Sequence, residues 1–129
     1  MSKPLASVLM TAYNREDFIA EAIESVIAST YENWELIIVD DQSKDRTVEI
    51  IKKYVALDER IKLYVNDINL GDYSNRNKAA SYARGKYIKY VDSDDIIYPH
   101  CLQVMIASME KFPIACIGFA NYWNTYNTI

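Results

Sequence analysis

The sequence predicts an α/β fold with a mainly parallel sheet, on three observations. Short β-branched apolar runs alternate with segments of helical periodicity, the links between them are short, and the runs end in polar, often acidic, clusters. Residues 5–12 read as a buried first strand, after which Asn14 is placed to cap a helix with Asp17 at its third position. Phe18, Ile19, Ala22, Ile23, Val26 and Ile27 then fall on one helical face that needs covering. Residues 35–39, Glu-Leu-Ile-Ile-Val, form a second strand buried on both sides. Val48, Ile51, Tyr54 and Val55 mark the next helix, and residues 61–65 the third strand. Residues 74–84 are expected to be an alanine-rich helix closed by Gly85 at its C-terminal cap. Residues 86–91 make the fourth strand. Pro99 suits the first turn of a helix carrying Leu102, Met105, Ile106 and Met109, and residues 114–119 are expected to add a fifth strand. Successive parallel strands imply right-handed crossovers.

Composition narrows the function classes. With 129 residues, 50% hydrophobic and 25% charged, the chain suits one globular domain without staples. Its three glycines, Gly71, Gly85 and Gly118, lie too far apart for a G-x-G-x-x-G dinucleotide loop or a G-x-x-x-x-G-K-[ST] phosphate loop. A single histidine, His100, excludes multi-histidine metal sites. Cys101 and Cys116 are too few for a four-ligand zinc site, and are expected to be reduced core thiols. A net charge of -4 without a basic stripe argues against a nucleic acid polymer as partner. No apolar run reaches the roughly 18 residues that span a bilayer, and residues 1–4 lack the apolar region of a signal peptide, so a cytoplasmic location is expected.

In open α/β sheets ligands bind beyond the carboxyl ends of the strands, near the point where strand order reverses. Here those ends carry Thr11-Ala12-Tyr13-Asn14, Asp40-Asp41, residues 66–71 and Asp92-Ser93-Asp94-Asp95. So many converging carboxylates are electrostatically costly unless a cation or donors compensate them. Oxygen ligands without histidine or thiolate suit Mg²⁺ or Mn²⁺, ions that take remaining ligands from water and substrate phosphates, so a diphosphate substrate is implied. Tyr13 is placed to lay its ring on a nucleobase, a contact worth roughly 1–3 kcal/mol. Asp41 could accept from a base N–H or cap the following helix, whereas Asp45 and Asp72 are expected to be turn or cap residues. Arg76 and Lys78 near the start of the third helix suit either an anion or a solvated surface. His100 is expected to be a partly exposed helical residue.

Taken in order and spacing, Ser7-Val-Leu-Met-Thr-Ala-Tyr-Asn14, Ile38-Val-Asp-Asp-Gln-Ser43, Asn75-Arg-Asn77, Ala83-Arg-Gly-Lys-Tyr-Ile88 and Val91-Asp-Ser-Asp-Asp95 resemble the nucleotide-binding half of family 2 glycosyltransferases. The resemblance spans residues 5–122. It implies a GT-A type, Rossmann-like three-layer sandwich and transfer of a sugar, with inversion, from a nucleotide-diphosphate sugar to a glycan or lipid-linked acceptor in cell-surface polysaccharide synthesis. A UDP-sugar is the favoured donor. By the same resemblance Thr11, Ala12, Tyr13, Asn14, Asp41, Arg76, Asp92 and Ser93 would contact the nucleotide. Asp94 and Asp95 would hold Mn²⁺ or Mg²⁺. Gln42 stands where the family often has Gly, which is expected to alter the turn after Asp41 without removing a ligand.

The family's general base lies in sequence beyond Ile129, so the 129 residues are expected to be one donor-binding domain, the N-terminal part of a longer enzyme that acts at the inner membrane face. The aromatic, uncharged residues 119–129 are expected to favour self-association. Two rival assignments fit less well. A sugar-phosphate nucleotidyltransferase wants a glycine-rich basic loop after strand one, where this chain offers only Arg15. A phosphoacceptor receiver domain wants its acidic pair after strand one and its acceptor Asp after strand three, whereas the acidic groups here follow strands two and four.

Overall fold

A computed structural model describes residues 4–118. Eight elements follow one another as β1 (Ala6–Ala12), α1 (Ile19–Ile27), β2 (Trp34–Asp40), α2 (Thr47–Leu57), β3 (Ile61–Val65), α3 (Asp72–Ser81), β4 (Tyr87–Tyr90) and α4 (Cys101–Lys111). The four strands form one parallel sheet in the order β3-β2-β1-β4. β1 and β2 are therefore central, and the chain reverses direction across the sheet when it passes from β3 to β4. Register aligns Ala6 with Trp34 and Ala12 with Asp40, so both central strands end at the same level.

Period-two alternation of apolar side chains builds three layers. Val8, Met10, Leu36 and Ile38 face one way and pack with Ile19, Ile23 and Val26 of α1, Ile51 of α2, and Leu102 and Ile106 of α4. Leu9, Ile37 and Val39 face the other way against Ala79 of α3. Small residues on α3, Ala79 and Ala80, let that helix lie close to the sheet, while the stacked rings of Tyr64 and Tyr82, 3.8 Å apart, close its flank.

The amino-terminal end of the sheet is held by a buried polar network. Ser7 Oγ donates to Glu35 Oε1 at 2.7 Å, the Arg84 N–H donates to the same oxygen at 2.8 Å, and Arg84 Nε reaches Oε2 at 3.0 Å. The Gly85 N–H donates in turn to Ser7 Oγ at 2.8 Å. Gly85 is not a helix cap, since α3 ends at Ser81 with Tyr82 as its C-cap. Its requirement is close approach: a Cβ there would stand 2.7 Å from the Ser7 nitrogen and 2.9 Å from the Ala6 carbonyl carbon. Gly85→Ala is therefore expected to cost about 1–3 kcal/mol in chemical denaturation, through displacement of β1.

Several sequence expectations are corrected. Ile114 to Gly118 are irregular and exposed, with no strand partner among the described residues, and Phe119 lies outside them. Asn14 does not cap α1, which begins at Ile19 after Phe18 with no side-chain cap. α3 starts at Asp72 rather than at residue 74, so Arg76 and Lys78 sit in its second turn and not at its opening. Pro99 precedes α4, whose N-cap is His100, and its carbonyl accepts from the Thr30 N–H at 2.8 Å. Cys101 and Cys116 are free thiols but not core residues, being half-buried and exposed. The self-association expected of residues 119–129 falls outside the described residues.

Candidate functional site

Strand order reverses between β1 and β4, and beyond their carboxyl ends lies a cleft of about 430 Å³, within the range of small-ligand sites. Thr11, Ala12 and Tyr13 form its β1 wall, Asp41 its floor after β2, Arg76 a wall from α3, and Asp92, Ser93 and Asp94 the rim after β4. Two expected residues lie off the cleft surface. Asn14 and Asp95 do not line it, although Asp95 shares the acidic cluster with Asp92 and Asp94. A second cleft, about 370 Å³ between β4 and α4, has an apolar floor that includes Leu102, Met105 and Ile106 and no acidic residue.

Asn14 serves the site indirectly. It adopts φ 52°, a left-handed conformation that asparagine tolerates better than most residues. Its N–H donates to Ser43 Oγ at 2.9 Å, and its Oδ1 accepts from the Lys44 N–H at 2.8 Å. The loop after β1 is thereby tied to the loop after β2, and Tyr13 is left half-exposed on the cleft wall. Asp45, read as a turn residue, accepts from the Thr47 N–H at 2.9 Å and the Glu16 N–H at 3.2 Å, which links the same two loops again.

Asp41 is buried, and its carboxylate clamps the loop that follows β3. Oδ1 accepts from Asn66 Nδ2 at 2.9 Å and from the Leu70 N–H at 2.7 Å, while Oδ2 accepts from the Gly71 N–H at 2.9 Å. It does not cap α2. Three donors leave one of roughly four acceptor positions on the carboxylate for a ligand. Gly71, with φ 82°, then delivers the chain into α3. Buried Asn75 ties that helix down, its Nδ2 donating to the Val39 carbonyl at 3.1 Å and its Oδ1 accepting from Asn66 at 2.8 Å. Gln42 takes φ 69°, the conformation glycine would adopt without strain, and its amide donates to the Asn66 carbonyl. The turn is therefore kept, and its side chain adds a further tie to the β3 loop.

The acidic cluster offers one carboxylate oxygen each from Asp92, Asp94 and Asp95 within 4.8 Å of one another. Hard carboxylate oxygens without histidine or thiolate are the donor type that Mg²⁺ or Mn²⁺ takes. Burial and the charges of Asp92 and Asp94 hold the Asp95 carboxyl above its ordinary range, as expected where negative charge lacks a full set of partners. Arg76 Nη2 lies 2.7 Å from Asp92 Oδ1 and its Nε 3.2 Å from Asp72 Oδ1. The Asp92 hydrogen bond, opposed only in part by burial, raises the guanidinium above its already high ordinary value. On the other side, Arg15 Nε lies 3.8 Å from Asp94 Oδ2, an exposed pair of the kind that contributes about 0–1 kcal/mol.

Sequence reasoning did not assign Arg15, Asn69, Gly71, Asp72 or Asn75 to this cleft, yet all five line it. Asn75 opens the Asn75-Arg-Asn77 motif, and that position is its signal in the sequence. Asn69 and Gly71 fall in the 66–71 strand end already expected to face ligand, but which of those residues reach the cleft depends on the Asp41 clamp, which joins residues about thirty positions apart.

The Glycosyl transferase family 2 profile matches residues 7–128. The chain is 44% identical over 113 residues to the uncharacterized glycosyltransferase MJ1057 of Methanocaldococcus jannaschii, a match covering 86% of this chain and 39% of that protein. It is 39% identical over 122 residues to the UDP-Glc:alpha-D-GlcNAc-diphosphoundecaprenol beta-1,3-glucosyltransferase WfgD of Escherichia coli, covering 95% of this chain and 47% of the relative. Among solved structures, S. aureus TarS 1-349 in complex with UDP-GlcNAc is similar with a TM-score of 0.79 at 27% identity, over 90% of this chain and 37% of that one. The chain thus spans less than half the length of these proteins. No helix among the described residues is long and apolar enough to cross a membrane. With nearly its whole length matched by one profile and a cleft at the expected strand ends, the chain belongs to glycosyl transferase family 2.

Proposed function

We propose that this chain is the donor-binding N-terminal part of a longer inverting glycosyltransferase and holds a nucleotide-diphosphate sugar, with UDP favoured. The observation that carries the proposal is the convergence of Tyr13, Asp41, Arg76 and the acidic rim on a single cleft at the strand-order reversal. Support for UDP comes from TarS, whose structures hold UDP and UDP-GlcNAc, and from the UDP-Glc donor in the name of WfgD. The WfgD name also supports a lipid-linked acceptor and hence work at the cytoplasmic membrane face in polysaccharide synthesis.

Each residue has a distinct task. Tyr13 offers a ring face to the base, and the free acceptor position of Asp41 takes a base N–H. Thr11 and Ala12 shape the β1 wall, Asn14 holds the loop behind it through Ser43 and Lys44, Arg76 and Ser93 lie along the path of the ribose and diphosphate, and Asp92 fixes Arg76. Asp94 and Asp95 would hold Mn²⁺ or Mg²⁺. Such an ion would supply Lewis-acid stabilisation of the charge on the departing nucleoside diphosphate, worth several kcal/mol. The acceptor hydroxyl attacks the anomeric carbon from the opposite face, and the base that takes its proton lies in sequence beyond Ile129.

Isothermal titration with UDP, with and without Mn²⁺, tests the proposal. Wild-type chain is expected to bind at least tenfold more tightly with Mn²⁺, and Asp94→Asn to lose that gain. Metal-independent binding that Asp94→Asn leaves unchanged would overturn it.

A further inference from the structure

Two aspartates of the acidic rim each face a guanidinium, and the two contacts differ in kind. Arg76 is held at 2.7 Å by Asp92 and at 3.2 Å by Asp72, both directional hydrogen bonds. Arg15 stands 3.8 Å from Asp94, too far for a hydrogen bond, and the two side chains are 43% and 47% exposed. Its other contacts are weak ones from Nη1 to the carbonyls of Tyr13 and Asn14, at 3.3 and 3.4 Å. The backbone beneath it is fixed, because the Arg15 N–H donates to Thr47 Oγ1 at 2.8 Å. A guanidinium with a rigid base and a loosely held head therefore lines the cleft against an aspartate assigned to a metal ion.

We propose that Arg15 is an exchangeable counter-cation. Without donor it neutralises Asp94. When a divalent ion takes Asp94, the guanidinium is released and pairs with the diphosphate of the incoming nucleotide. This inference rests on the donor-binding reading above. The exchange is favourable on charge grounds, since a doubly charged cation replaces a singly charged one and the displaced guanidinium meets a new anion within its own reach. The planar fork of arginine matches two phosphate oxygens at once, which a lysine does not do.

The consequence is a pair of effects with opposite signs. Arg15→Ala removes a competitor for Asp94, so Mn²⁺ alone is expected to bind severalfold more tightly. The same variant loses a phosphate partner, so UDP at saturating Mn²⁺ is expected to bind about tenfold more weakly, the size of one charge-assisted hydrogen bond. Uridine, which has no phosphate, is expected to bind wild type and variant alike.

Mn²⁺ affinity read by electron paramagnetic resonance and UDP and uridine affinities read by calorimetry, on the whole 129-residue chain, test the exchange. Arg15→Lys is expected to fall between wild type and Arg15→Ala for UDP, and it provides the test if the alanine variant does not fold. Unchanged affinities in both variants, or Mn²⁺ and UDP weakened together, would overturn the exchange. Failure of wild type to show Mn²⁺-dependent UDP binding would instead overturn the donor-binding reading, and the exchange with it.

Discussion

Asp41→Ala is expected to lower the unfolding free energy by about 3 kcal/mol and to weaken UDP binding by at least tenfold. The substitution strands the Leu70 and Gly71 N–H groups and one N–H of Asn66 Nδ2, whose other N–H keeps Asn75 Oδ1. An unpaired buried donor costs about 1–3 kcal/mol, and those near the cleft recover part of that from water. Because Gly71 leads into α3, release of the loop also unfixes Arg76 and the wall it builds. Asp41→Asn keeps one accepting oxygen for Asn66 and Leu70 and turns the other position into a donor facing the Gly71 N–H, so it should lie between wild type and Asp41→Ala. Urea denaturation paired with calorimetry reads both effects. Full stability with binding alone lost would make Asp41 a ligand and not a clamp.

Glu35→Ala is expected to be at least as damaging, at about 3–4 kcal/mol, although Glu35 lies at the far end of the sheet. It is 2% exposed and accepts from Ser7, the Arg84 N–H and the Arg84 guanidinium. Removing one partner of a buried charged network leaves the others unpaired, which costs more than the network contributes net. Burial alone would raise this carboxyl, but the Ser7 and Arg84 hydrogen bonds outweigh it and hold the group below its ordinary 4.5. A group with a lowered folded value contributes stability that is fully present above its unfolded value and is lost as pH falls through the folded one. Wild-type stability is thus expected to drop as pH falls below about 4.5. Glu35→Gln should flatten that part of the curve, and an unchanged slope would assign acid sensitivity to other groups.

Those two residues also show what a linear reading captures. The strands were legible because Val8 to Ala12 and Leu36 to Val39 carry their apolar pattern locally, and the acidic rim was legible because three aspartates fall within four positions. Glu35 was legible only as part of a strand, since its partners Ser7 and Arg84 stand 28 and 49 positions away. Gly85 was misread as a cap for a similar reason: its constraint is the backbone of β1, 78 positions earlier. Residues 114–118 do not form the expected strand because hydrophobic periodicity reports what a segment would bury and not whether a strand partner stands beside it, and none does among the described residues. Arg15 was legible as the one basic residue of the loop after the first strand but not as a cleft residue, because an exposed arginine in a loop gains meaning only from what it faces, here Asp94, across 79 positions.

In the function proposed above, one cleft beyond β1 and β4 binds a nucleoside diphosphate through a carboxylate-held divalent ion. Its most direct test is the anomalous scattering of Mn²⁺ in crystals of this chain soaked with UDP. A peak within about 2.5 Å of the carboxylate oxygens of Asp94 and Asp95, with the uracil ring over Tyr13, is the expected result. A peak elsewhere, or UDP density outside the cleft that Thr11, Tyr13 and Arg76 line, would contradict it.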